Sequence, residues 1–80
     1  MTPTRPQRTS ARAILADNLR RKRTERKWSQ EDLALEAELH RTFVAHVERQ
    51  VRNISVDNIE KLARALGVQV FELLKPHNQP

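Results

Sequence analysis

The segment QEDLALEAELHRTFVAHVER, residues 30–49, decides the fold. Its second half, from Arg41, suits a helix. At about 100° per residue, Arg41, Thr42, Ala45, His46 and Arg49 fall within an arc of roughly 140°. Phe43, Val44, Val47 and Glu48 take the opposite arc, so one face packs while the other carries donors outward. The first half is a second helix, with Leu33 and Ala37 at i, i+4 turned inward and Ala34 beside them. Ala34 has almost no side chain, which lets the two helices cross closely, and Leu39, in the turn, fills the wedge with Val44 and Val47. The order of small and large apolar residues therefore encodes a corner. An ordinary helical hairpin would share this hydrophobic pattern, but it has no need of the basic, hydrogen-bonding outer face.

Working outward, Ser29 precedes the first of these helices, and its hydroxyl can accept from a free amide of the first turn. Glu31 and Asp32 sit where the helix dipole favours anions. Upstream, Ser10 caps a helix in which Leu15 and Leu19 begin an apolar stripe that ends near Arg26. Downstream, Ser55 caps a fourth helix with Ile59, Leu62, Ala63 and Leu66 inward, and Gly67 closes it in the left-handed conformation. Val70 to Leu74 form a short fifth helix, with Val70, Leu73 and Leu74 expected on its inner side, and Pro76 stops it. Strand-like alternation is absent outside a short ambiguous stretch at Val68–Phe71. The predicted class is all-α, with five helices in one compact domain over residues 11–75, a flexible basic arm over residues 1–10 and a short tail over 76–80.

Eighty residues make one domain, and a chain this short buries only about 60% of the surface its unfolded form exposes. There is no cysteine, hence no disulfide, and His40, His46 and His77 fit no metal-ligand spacing. No apolar run suits a membrane span or a signal peptide, so the expected setting is the cytoplasm. Residues 1–27 hold nine Lys/Arg against two acids, and residues 28–80 hold six against eight. A cationic amino-terminal third suits a polyanion such as DNA, although charge alone does not distinguish this from a solvated helix face. Arg5 and Arg8 place two cations in the arm. The outward face of the third helix suits the major groove, which is wide enough to admit an α-helix. No nucleophile–base pair, glycine-rich phosphate loop or metal set is present, and Gly67 is the only glycine, so no enzyme, cofactor or small-molecule effector is expected.

The pieces WSQEDLA (28–34), LHRTFVAHVER (39–49), RNIS (52–55) and LARALGVQVFELL (62–74) resemble, in register, the lambda-repressor/Cro-like helix-turn-helix family, also called the XRE family. Within it, the LHRT…ER…RN.S run is similar to the controller proteins of restriction-modification systems. The resemblance implies a transcription regulator that binds double-stranded DNA. Arg41, Thr42 and His46 match its base-reading positions, with Ala45 offering apolar contact. Gln30, His40, Arg49, Arg52 and Asn53 match its backbone-binding positions, and Arg23 and Glu48 match a pair it commonly joins by an ion bridge. The family often has glycine where this chain has Lys27, Glu38 and Gln50, so slightly altered turns are expected. Phe43 stands where a tyrosine is frequent, without the hydroxyl that would meet a phosphate. A homodimer on a pseudo-palindromic site is expected, with Leu66, Val68, Phe71 and Leu74 at its interface. The alternative is an interaction module such as an antitoxin that neutralises a toxin; antitoxins of this fold also bind DNA.

Overall fold

A computed structural model describes residues 10–77. The expected arm with Arg5 and Arg8, apart from Ser10, and the tail beyond His77 lie outside the described residues. Five helices follow one another: α1 (Ala11–Glu25), α2 (Gln30–Ala37), α3 (Arg41–Glu48), α4 (Val56–Leu66) and α5 (Val70–Leu73). There is no strand among the described residues.

The helices start where a side chain can satisfy a free amide. Ser10 Oγ accepts from Ala13 N, Ser55 Oγ from Asn58 N, and Ser29 Oγ from Asp32 N, each at 3.0–3.1 Å. Asp32 returns the bond by accepting from Ser29 N at 2.8 Å, completing a capping box at the head of α2.

Four of the five helices end alike. A backbone N–H reaches back five residues at each end: Trp28 to Arg23, Leu39 to Ala34, Val51 to His46, and Val68 to Ala63, at 2.8–3.0 Å. This closure needs a left-handed residue just before the donor. Gly67 supplies it at φ 70°, but Lys27, Glu38 and Gln50 adopt φ 61°, 59° and 63° with side chains attached. The expectation of altered turns is therefore corrected. The closing bonds and the packing beyond each turn hold the left-handed geometry despite the cost of a Cβ there.

α3 packs on α1 and α2, α4 on α2, and α5 on α1 and α4. Leu15, Leu19, Leu33, Val44, Leu62, Leu66 and Leu73 form the buried centre, with Ala34 and Ala37 at the crossings and Leu39 half-buried against them. Complete burial contributes about 1.5–3 kcal/mol for each such Leu or Val.

Two expectations for the carboxyl-terminal region need correction. Leu66, assigned to a dimer interface, is 1% exposed and belongs to the core, because the α4 face that carries it is the one covered by the rest of the bundle. α5 ends at Leu73, one residue early, and Leu74 is 39% exposed rather than inward. A four-residue helix makes little more than one turn, so it presents a single residue, Leu73, fully to the core, with Val70 half-buried. Asn18, completely buried in α1, fastens this turn. Its Nδ2 donates to the carbonyls of Leu73 and Lys75, both at 2.8 Å, and its Oδ1 accepts from Arg21 at 2.6 Å.

Candidate nucleic-acid interface

The inner side of α3 is fixed by an ion pair. Arg23 Nε donates to Glu48 Oε2 at 2.7 Å and Nη2 to Oε1 at 3.0 Å, a bidentate clasp between α1 and α3. Arg23 Nη1 also donates to the Trp28 carbonyl at 3.1 Å, and Gln30 Nε2 donates to Glu48 Oε1 at 2.9 Å. Arg20, which the sequence reading passed over, donates to the backbone carbonyl of Glu48 at 3.0 Å. The Glu48 side chain is 1% exposed and that of Arg23 16%. The hydrogen bond to Glu48 raises the Arg23 pKa above the usual guanidinium value, burial opposes this, and the charge of Glu48 adds to the rise. Three helix starts and ends (the close of α1, the head of α2 and the last turn of α3) are thus locked at one carboxylate.

The outer side is open. A shallow groove runs between the head of α2, at Ser29, Gln30 and Glu31, and the outer residues of α3, Arg41, Thr42, Ala45, His46 and Arg49. Arg41, Thr42 and Arg49 are exposed, and Ala45 and His46 are half-buried beneath them. Arg41 Nη1 lies 3.3 Å from Glu31 Oε2, and both side chains are 69% exposed. An exposed pair of this kind contributes about 0–1 kcal/mol, so Arg41 can leave it for a base edge at little cost.

The residues expected at the backbone divide among three settings. Gln30 is half-buried, with one N–H spent on Glu48, and its amide carries a second. His40 has a role the sequence reading missed: its Nδ1 accepts from Thr42 N at 3.1 Å and caps α3. In that tautomer Nε2–H remains as a donor. No propensity signal pointed there, because histidine is not among the preferred capping residues. Arg49, Arg52 and Asn53 are exposed on the segment that leaves α3, and the Arg52 guanidinium lies 5.8 Å from the Phe43 ring centroid. No cluster of potential metal ligands occurs among the described residues, and no described helix is long and apolar enough to cross a membrane.

A family model described as helix-turn-helix matches residues 19–73, from within α1 through α5. The chain belongs to the helix-turn-helix family. It is 49% identical over 71 residues to a hypothetical transcription factor of Neisseria meningitidis serogroup B, covering 89% of this chain and 67% of that protein. The crystal structure of the restriction-modification controller protein C.AhdI from Aeromonas hydrophila superposes with a TM-score of 0.74 at 44% identity, over 78% of this chain and 94% of that one. A third relative, the controller protein C.Esp1396I, was solved as a tetramer in complex with its natural 35-base-pair operator. It superposes with a TM-score of 0.74 at 28% identity, covering 84% of this chain and 92% of that one. This helix-turn-helix chain thus shares its fold and register with controller proteins.

Proposed function

We propose that the protein is a sequence-specific transcription regulator of the controller type, working in the cytoplasm as a homodimer on a pseudo-palindromic operator in double-stranded DNA. The observation that carries this reading is the exposed, donor-bearing outer face of α3, backed by a buried junction that allows it little freedom. α3, like any α-helix about 10–12 Å across with its side chains, fits the major groove, which is about 12 Å wide. Arg41 would pair bidentately with a guanine and the Thr42 methyl would meet a thymine, with His46 and Ala45 below them. Gln30, His40, Arg49, Arg52 and Asn53 would hold the phosphates on either side. C.Esp1396I, which has the same fold, binds its operator as a tetramer.

The dimer face is proposed at α5. Phe71 is 64% exposed, with Leu74 at 39% and Val68 half-buried. A large exposed aromatic beside further apolar surface suits an interface anchor. A two-fold axis there would set the two copies of α3 about 34 Å apart, one turn of DNA. The relatives are named as regulators, so the toxin-neutralising alternative is not favoured.

Selecting bound duplexes from a random pool tests the reading. Enrichment of two inverted half-sites one turn apart is expected, and a pool that stays random would overturn it. In sedimentation, Phe71→Glu is expected to remain folded and become monomeric; a variant that still dimerises would remove α5 from the interface.

A further inference from the structure

α1 begins beside the segment that leaves α3. Arg12, in its first turn, donates to Asn53 Oδ1, a residue 41 positions away in sequence. Leu15, Ile54 and Ile59 line the same groove, and Leu15 and Ile59 are core residues. Packing below the bond therefore sets the place of Arg12, so its position does not depend on an exposed contact alone.

Three arginines on or beside α3 meet a carboxylate. Arg20 and Arg23 reach Glu48, and Arg41 reaches Glu31. Among the described residues, Arg12, Arg49 and Arg52 have no carboxylate within ion-pair distance. These three uncompensated guanidiniums lie on the segment after α3 and on the helix start that touches it, where like charges repel unless a polyanion joins them. Bonding to Asn53 occupies only part of the Arg12 fork, which has five N–H donors, and leaves the Asn53 amide nitrogen free to donate.

We propose that Arg12 is a further DNA-backbone contact, binding a phosphate next to those held by Arg52 and Asn53, so that the footprint extends from α3 to the first turn of α1. This rests on the DNA-binding function proposed above. A phosphate contact carries no sequence information. Its loss is felt equally on every duplex.

The test is a titration of the full chain, as wild type, Arg12→Gln and Arg12→Lys, against the selected operator and a scrambled duplex over a series of salt concentrations. Arg12→Gln is expected to weaken both duplexes by the same factor and to lower the slope of log K against log salt by about 0.9, one counterion's worth. Arg12→Lys is expected to keep the wild-type slope. Thermal melting of both variants is expected to match wild type, since the side chain is exposed. An unchanged slope in Arg12→Gln overturns the proposal. So does the reverse pattern, in which Gln behaves as wild type and Lys does not, because the residue would then act only by holding Asn53. A wild type that binds neither duplex overturns the DNA-binding function itself.

Discussion

On the inner face of α3, Glu48 accepts three hydrogen bonds from Arg23 and Gln30 and is closed to water. On the outer face, Arg41 meets Glu31 across 3.3 Å of open solvent. The two pairs lie on one helix of eight residues and differ mainly in desolvation. Removing one partner of a buried pair strands the other charge, whereas parting an exposed pair exchanges one solvated state for another. α3 is therefore held by electrostatics on one side and left free to use its charges on the other.

Arg23→Ala puts the strongest strain on this comparison. The variant is expected to lose about 3–5 kcal/mol of stability in urea unfolding, since Glu48 stays buried without its main partner. A wild-type midpoint would show that the junction does not hold α3. Arg41→Ala is the counterpart on the outer side. Its unfolding is expected to stay within about 0.5 kcal/mol of wild type, while binding to the selected operator weakens by about 1–3 kcal/mol and preference relaxes at one base pair. Undiminished selectivity there would mean that a different face of α3 reads the bases. Arg52→Ala sharpens the outer side further. It should weaken operator and scrambled duplex alike and reduce the salt slope by about 0.9, read by the same titrations. Glu38→Gly has the smallest effect. Relief of the left-handed strain between α2 and α3, partly offset by the extra chain entropy of glycine, should raise stability by up to about 1 kcal/mol in thermal melting.

The corner of α2 and α3 was legible because each constraint on it has a sequence signature. Ser29 announces the helix start, Ala34 the close crossing, and the spacing of Val44 and Val47 the buried face. Ser10, Ser55 and Gly67 mark their helix ends just as clearly. The left-handed turns at Lys27, Glu38 and Gln50 were not legible, because the bonds that enforce them belong to the completed helices and not to these residue types. Asn18 left a trace that went unread: it sits three residues after Leu15, on the apolar stripe, where a polar side chain must find partners inside. Leu66 and Leu74 show the limit of periodicity. A pattern tells which residues are apolar, but the sharing of apolar residues between core and surface depends on where α5 comes to rest. The outer face of α3 was legible as a set of donors. The capping bond of His40 and the tie from Gln30 to Glu48 were not, since both depend on side-chain conformations that spacing does not specify.

The hold of Asn18 on α5 has a consequence for how the molecule breathes. A single helical turn is far below the length at which a helix persists in water. α5 is kept in place by one buried leucine, by the half-buried Val70 against the core, and by two hydrogen bonds from an amide belonging to another helix. Its release is therefore expected to be a low-lying opening that leaves the other four helices closed. Amide exchange at Glu72 and Leu74, whose N–H groups bond to Gln69 and Phe71, would then run ahead of exchange in α4. Phe71 rides on the same turn, so in the proposed dimer this early exchange slows as protein concentration rises, tying the local order of five or six residues to the assembly of the whole.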